Sequence, residues 1–151
     1  MSIVSLRPAT IDDVKFIYEL SSDRDVRRNS FNQHELVYDD HVHWFEDKLK
    51  QRDYFIYIVL SDGKRAGQVR VQIVEYKGII SYSIDKNFRG QGCGEKALAL
   101  LSNEMLEKTD IKMLVGMVKK ENTPSRKAFA ALDYKQRDMS GILEFSKVIR
   151  L

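Results

Sequence analysis

The chain has 151 residues, of which 43% are hydrophobic and 31% are charged, a profile that predicts one globular domain over residues 1–151 with its own apolar core. The net charge of +3 gives no indication of a nucleic-acid partner, and no apolar run approaches the roughly 18 residues of a membrane span. A single cysteine excludes an internal disulfide framework, and the N-terminus lacks the pattern of a secretory signal, so a cytoplasmic protein is expected.

The first half of the chain predicts a strand and two helices. A short apolar run ends at Pro8, and Thr10 is placed to cap a helix, with Asp13 at the capping-box position. The polar stretch 21–35 is interpreted as a loop. Apolar residues at helical spacing then predict a second helix over residues 39–51.

The second half of the chain predicts a sheet with two further helices. Three successive strand segments without helices between them, over residues 54–84, predict an antiparallel meander. A strand, a helix and a strand over residues 79–118 predict a right-handed parallel crossover. Asn122 or Thr123 is placed to cap the last helix, and two antiparallel strands are expected from residue 134 onward. The predicted fold class is therefore α+β, with a mixed, mostly antiparallel sheet covered by helices.

The segment NFRGQGCGEK, residues 87–96, places three alternating glycines between a strand end and a helix start. A helix N-terminus presents unpaired N–H groups and a partial positive charge, and glycines let further amides turn toward the same point. The segment therefore predicts an anion-binding cradle, with a glycine-rich turn that binds nothing as the alternative. Its spacing fits neither the dinucleotide fingerprint nor the phosphate loop of nucleotide triphosphatases. Basic and polar residues at 119–127 extend the predicted site toward a long phosphorylated ligand.

This segment and residues 121–134 resemble the two acyl-CoA motifs of the GNAT family of N-acetyltransferases. The resemblance follows the element order along the chain, and implies the acyl-CoA N-acyltransferase fold with acetyl-CoA as co-substrate. It implies that the pyrophosphate binds the amides of the loop and that the pantetheine pairs with the preceding strand. The residues thereby implied in cofactor binding are Ile84, Arg89, Gly90, Gln91, Gly92, Cys93, Gly94, Asn122 and Ser125.

The chain departs from the pattern of that family at two catalytic positions and at the Gly-Phe pair, which reads Asp133-Tyr134 here. Many members carry a tyrosine that protonates the leaving thiolate, where this chain has Phe129, and a glutamate on the strand before the loop, near Ile79 here. Because a thiolate is a fair leaving group, loss of the acid is tolerable, and Phe129→Tyr is expected to preserve or raise activity. Backbone N–H groups of residues 82–84 are expected to stabilise the oxyanion.

A looser resemblance, in residues 22–49, connects the chain with GNAT acetyltransferases that act on amino-sugar nucleotides, those of the pseudaminic-acid type being nearest. It implies a small-molecule amine as acceptor, on a nucleotide-linked sugar, with a 4-amino sugar on UDP as the specific hypothesis. Arg27 and Arg28 would then pair with the diphosphate, and Trp44 would offer a face to the base or the sugar. Solvated loop arginines and a core tryptophan are the alternatives.

His41 and Ser83 are the candidate catalytic residues. His41 titrates in the range of a general base, the alternative being a polar helix residue near the surface. Ser83 shares a strand face with Ser81, where it would line the site or hold a water, and ordinary strand serines are the alternative. Cys93 lies in the predicted phosphate loop, so direct transfer in a ternary complex is expected rather than an acyl-cysteine. No metal site is expected.

Two other functions stay open at this level. A peptide or protein N-terminal acetyltransferase predicts an acidic or peptide-sized groove in place of an arginine-lined pocket. A non-catalytic CoA-binding module would not release CoA when an amine is added. Monomer and homodimer are both compatible with the sequence.

Overall fold

The computed structural model describes residues 2–31 and 36–151, which contain a seven-stranded sheet. The strand order across this sheet is β1-β2-β3-β4-β5-β7-β6. The strands are β1 (Val4–Pro8), β2 (Tyr54–Ser61), β3 (Lys64–Val74), β4 (Lys77–Ile84), β5 (Met113–Lys119), β6 (Lys135–Met139) and β7 (Ile142–Val148). The α-helices are α1 (Val14–Ser22), α2 (Arg24–Asn29), α3 (Tyr38–Lys50), α4 (Cys93–Lys108) and α5 (Thr123–Ala131).

The pairing confirms the predicted α+β class. β2, β3 and β4 form the antiparallel meander, and β4 pairs with β5 in parallel across the α4 crossover. The two tail strands are antiparallel as expected, and the later of them, β7, inserts between β5 and β6. None of the described helices has both the length and the apolar character that crossing a bilayer requires.

β4 and β5 separate at the edge of the sheet that faces the glycine segment. Their last paired residues are Ile80 and Gly116, although β4 continues to Ile84 and β5 to Lys119. Beyond this pair the two strands diverge and leave an opening in the sheet. The helices that follow them, α4 and α5, both begin beside this opening, because each starts shortly after the end of its strand.

Part of the stretch predicted as a loop is helical. Residues 24–29 form α2, whose N-cap is Asp23, with a carboxylate that accepts the N–H groups of Asp25 and Val26 at 3.0 and 3.2 Å. The cap explains why so polar a segment forms a helix. Residues 32–35 of the predicted loop lie outside the described residues. The helix predicted over 39–51 is confirmed as α3.

Helices cover both faces of the sheet, and alternation along β2 shows how. Ile56 and Ile58 pack with Ile17 of α1 and Phe45 of α3, whereas Tyr57 and Val59 belong to the larger core. The larger core holds the apolar faces of α4 and α5, including Ala97, Leu98, Leu101, Met105 and Phe129. Burial on both faces fixes the sheet as the central layer and holds the start of each helix at the strand opening.

A buried carboxylate anchors the N-terminal segment. Asp13 is 2% exposed and accepts two hydrogen bonds of 2.8 Å from Arg7, a third from the backbone N–H of Thr10 at 2.9 Å, and one from Arg65 at 3.4 Å. Burial alone would raise the pKa of Asp13, but the hydrogen bonds from Arg7 and Thr10 hold that pKa below its usual value. The predicted capping position of Asp13 is confirmed.

Candidate active site

A cleft of about 1340 Å³ opens where β4 and β5 diverge. One side of the cleft is formed by the glycine segment and the N-termini of α4 and α5, and the other by α2, α3 and the polar face of β3 and β4. The cleft is lined by every residue that the sequence singled out for binding or catalysis except Gln91. The side chain of Gln91 instead donates to the carbonyl of Asn87 at 3.4 Å.

The glycine segment leads into α4 with an open backbone. Gly90 and Gly92 have φ angles of +74° and +79°, and Gly92 is the N-cap of α4. A Cβ at either position would have no heavy atom within 4 Å, so the space beside this backbone is empty of protein. The first hydrogen bond of the α4 turn runs from the N–H of Lys96 to the carbonyl of Gly92 at 3.1 Å, which leaves the preceding amides available to an anion.

Arg89 uses its side chain to hold this segment against α2. Its Nε donates to the carbonyl of Ile84 at 3.1 Å, and its two terminal nitrogens donate to the carboxylates of Asp25 and Asp23, each at 3.0 Å. The guanidinium therefore has three protein acceptors, and the contribution of Arg89 to an anion in the cradle is its backbone amide. These two contacts join residues that are 64 and 66 positions apart in the sequence, so no local sequence pattern predicts them.

The second helix start adds polar groups on the same side of the cleft. Asn122 caps α5, as predicted, through an Oδ1 that accepts the N–H of Ser125 at 3.4 Å. The hydroxyl of Ser125 lies 2.9 Å from the hydroxyl of Tyr82 on β4. Burial raises the pKa of Tyr82, against the smaller opposing effect of the hydrogen bond with Ser125.

Phe129 lies away from the cleft, in the core. Its ring stacks on Phe145 with centroids 5.2 Å apart, and a Cβ on Gly116 of β5 would clash with the para carbon of the ring. A hydroxyl at that carbon would enter the contact with Gly116 and would not line the cleft. This position gives no support to the expectation that Phe129→Tyr preserves or raises activity, which stays a prediction without a test.

His41 is buried, which removes the alternative of a histidine near the surface. It is 7% exposed and its ring lies among those of Tyr18, Trp44 and Phe45, at centroid distances of 5.4, 5.6 and 6.3 Å. Nε2 has no hydrogen-bond partner in the described part of the chain. Burial, and secondly the charge of Arg70, lower the pKa of His41, so the imidazole is neutral near pH 7.

Arg70 is a site residue that sequence reasoning missed. Its guanidinium lies over the ring of Trp44, 5.1 Å from the centroid, and donates to Ser81 at 3.2 Å. It lines the cleft together with Arg27 and Arg28. The alternation of β3 could have found it, because Val69 points into the core and the next residue, Arg70, therefore points to the other, polar face of the sheet.

Carboxylates also line the cleft. Asp25 and Asp40 lie on the side of α2 and α3, Glu121 lies beside the start of α5, and Asp25 forms an ion pair of 2.9 Å with Arg28. Ser83 lies on the polar face of β4, where its hydroxyl accepts from the buried Gln68 at 3.4 Å. In residues 2–31 and 36–151 no three or more His, Cys, Asp or Glu side chains group in a way that would hold a metal ion.

The comparisons agree with the geometry. A family model described as an acetyltransferase (GNAT) domain matches residues 4–135. No curated protein matches the chain in sequence.

Solved structures share the whole fold at low sequence identity. An N-acetyltransferase from Staphylococcus aureus is 19% identical, with a TM-score of 0.83 over 99% of this chain and 100% of its own. A spermidine N-acetyltransferase from Vibrio cholerae, in complex with CoA and spermine, is 13% identical, with a TM-score of 0.86 over 96% and 95%. An acetyltransferase from Salmonella typhimurium that modifies the N-terminal serine of ribosomal protein L7/L12 is 15% identical, with a TM-score of 0.80 over 96% and 94%.

The family match spans most of the chain, and the fold, the strand opening and the glycine cradle are the parts an acyl-CoA enzyme requires. The chain therefore belongs to the GNAT family of acetyltransferases, whose co-substrate is acetyl-CoA.

Proposed function

We propose that this acetyltransferase transfers the acetyl group of acetyl-CoA directly to a primary amine of a nucleotide-linked amino sugar. The observation that supports an anionic acceptor is the guanidinium of Arg70, held over Trp44 in the same cleft as the glycine cradle. With Arg27 and Arg28 it makes three arginines on the acceptor side, and guanidinium groups pair well with a diphosphate.

The cofactor half of the cleft fits acetyl-CoA on three counts. The amides of residues 89–94 and the start of α4 suit the pyrophosphate. The N–H of Asp85 donates to the carbonyl of Ala66 on β3 at 2.7 Å, so alternation turns the N–H groups of Tyr82 and Ile84 toward the opening left by β5. These groups suit the pantetheine amides and the acetyl oxygen. Asn122 and Ser125 border the same opening.

The position of Cys93 supports direct transfer. Its side chain is 2% exposed, at the first residue of α4 inside the phosphate cradle. An acyl-cysteine would require this buried thiol to reach the far end of the co-substrate. Cys93→Ala is therefore expected to keep most of kcat, and intact-mass spectra of the wild type incubated with acetyl-CoA are expected to show no acetyl adduct.

His41 is proposed as the base, and Ser83 as the group that positions the amine or a water beside it. A neutral imidazole accepts a proton, and burial keeps this one neutral near pH 7. Because Nε2 is shielded from solvent, it acts when a polar group of the acceptor or a water carried with it enters beside the ring.

A cationic acceptor is the second candidate, and a specific observation favours it. Asp25, Asp40 and Glu121 line the cleft, and carboxylates suit the ammonium group of a polyamine or of a peptide N-terminus. The solved relatives named above include enzymes with both kinds of acceptor.

A panel of acceptor amines, assayed by the release of the CoA thiol, separates the nucleotide-sugar acceptor from the cationic acceptor. UDP-linked amino sugars are expected to have the highest kcat/KM. Arg27→Ala, Arg28→Ala and Arg70→Ala are expected to raise the KM for the sugar at least tenfold and to leave the affinity for CoA unchanged. Arg137→Ala is the matched control, since that arginine lies on β6 outside the cleft. A higher kcat/KM for polyamines or peptides would overturn the proposed acceptor and leave the assignment as an acetyltransferase unchanged.

A further inference from the structure

Tyr82 lines the cleft, and its side chain has no role in the acetyl transfer described above. It lies on β4 past the last residue that pairs with β5, so its ring stands at the strand opening. A Cβ on Gly94 would lie 3.1 Å from Cε2 of the ring, and Phe129 meets the ring edge-on with centroids 6.1 Å apart. The ring is thus held in one orientation, with its hydroxyl 2.9 Å from Ser125 Oγ.

The reaction ends with a protonated thiol, and under the proposed placement of acetyl-CoA the hydroxyl of Tyr82 lies where a donor would supply that proton. Cleavage of the thioester releases a thiolate, and the opening between β4 and β5 is the proposed place of the thioester. Phe129 has no proton to give and lies in the core. Among the residues described as lining the cleft, Tyr82 is the single tyrosine.

We infer that Tyr82 is the general acid of this acetyltransferase and that Ser125 orients its hydroxyl. As the amine nitrogen bonds to the carbonyl carbon and the carbon–sulfur bond breaks, Tyr82 donates the proton of Oη to the sulfur. The proton lost by the amine passes to the base and to water, and the phenolate recovers a proton from water. The products are an acetamide and the free thiol, so protons and charges balance.

The environment of Tyr82 suits an acid that must be protonated at neutral pH. Burial raises the pKa of the phenol above its ordinary value of 10.0, which keeps Oη–H intact over the working range. The hydroxyl of Ser125 accepts from it or donates to it, and the same contact stabilises the phenolate after transfer. The inference rests on the proposed placement of acetyl-CoA and is independent of the acceptor.

Tyr82→Phe tests the inference, with Tyr134→Phe as the matched control. Tyr134 is also a buried phenol beside Phe129, but it does not line the cleft. Tyr82→Phe is expected to lower kcat about 100-fold while the Kd for CoA, measured by calorimetry, stays within twofold. Tyr134→Phe is expected to leave kcat within twofold. A kcat of Tyr82→Phe within threefold of wild type overturns the inference, whereas a lost CoA affinity overturns the placement of the co-substrate instead.

Two further measurements separate chemistry from packing. Replacement of the Tyr82 ring by 3-fluorotyrosine keeps the shape and acidifies the phenol, so the alkaline fall of kcat is expected to move to lower pH. An unmoved alkaline limb means that Tyr82 has only a structural role. Ser125→Ala is expected to lower kcat less than Tyr82→Phe does, and a larger loss would make Ser125 the donor and refute the assignment.

Discussion

Gly92 is the position at which one side chain tests the cofactor cradle most directly. Its φ of +79° places it in the left-handed region, and a Cβ there would meet no heavy atom within 4 Å. An aspartate at this position therefore displaces no protein atom. The intrinsic cost is the left-handed backbone, about 1 kcal/mol, which a short polar side chain tolerates better than most. Gly92→Asp is expected to fold.

The loss of binding follows from the charge. The carboxylate would stand beside the amides on which the pyrophosphate is proposed to lie. A phosphate oxygen about 4 Å away would be repelled by about 4 kcal/mol at an effective dielectric constant near 20. At 1.4 kcal/mol for each factor of ten, the Kd for CoA rises roughly a thousandfold.

Calorimetric titration with CoA and a thermal unfolding curve are the measurements. Gly92→Asn has the same size without the charge, and is expected to lose much less affinity. Gly63→Asp is the control for the backbone, because Gly63 has a φ of +81° and open space as well, but lies in the turn between β2 and β3. If Gly92→Asp binds CoA within threefold of wild type while folded, the cradle does not hold the pyrophosphate.

Three predictions concern the stability of the fold. Phe129→Tyr puts a hydroxyl into the core against Gly116 and is expected to lower the free energy of unfolding, measured in urea, by about 1–3 kcal/mol without raising kcat. A higher kcat would mean that the ring of residue 129 reaches the cleft. Asp13→Asn leaves Arg7 and Arg65 without their buried partner and is expected to lower the free energy of unfolding by about 3 kcal/mol at pH 7. Because the pKa of the folded Asp13 lies below its ordinary 3.8, the difference between wild type and variant should shrink as the pH falls through that lowered pKa. Because the pKa of His41 is lowered in the folded state, the unfolded chain takes up the imidazole proton first as the pH falls below 6.5. The free energy of unfolding is therefore expected to decrease below that pH in the wild type, and to decrease less in His41→Gln. The same pH dependence in both proteins would refute a buried neutral imidazole.

Most of the sheet was predictable because its strands follow the two-residue period and its connections are short. The meander and the parallel crossover follow from adjacency in sequence and the handedness of the connection. The insertion of β7 between β5 and β6 was not predictable, because the order of strands joined by a hairpin depends on which of them the core buries. The helix α2 was missed since its six residues carry no apolar period, and the cap by Asp23 is its main local signal.

The candidate active site also has parts that the sequence predicts and parts that it does not. The cradle was predictable because Gly90, Gly92 and the start of α4 are contiguous in sequence. The proton donor was not, because Tyr82 is an ordinary aromatic residue of a strand until the opening of the sheet and Ser125 on another element give its hydroxyl a place. Arg70 stood on the correct face of β3, yet only the fold brings Trp44 beneath it.

Arg89 gives the cofactor cradle a physical connection to the acceptor side. Its guanidinium holds Asp23 and Asp25 at the start of α2, the helix that carries Arg27 and Arg28. Loss of this contact is expected to loosen α2 and to raise the KM for the acceptor severalfold.

Arg89→Met removes the ion pairs, and Asp23→Ser removes one carboxylate while keeping a residue that caps helices well. If both act through the same contact, the double variant is expected to raise the acceptor KM no further than Arg89→Met alone, giving a coupling energy of about 1 kcal/mol. Additive effects in this cycle would mean that α2 is positioned independently of Arg89, and that the cradle and the acceptor side are uncoupled.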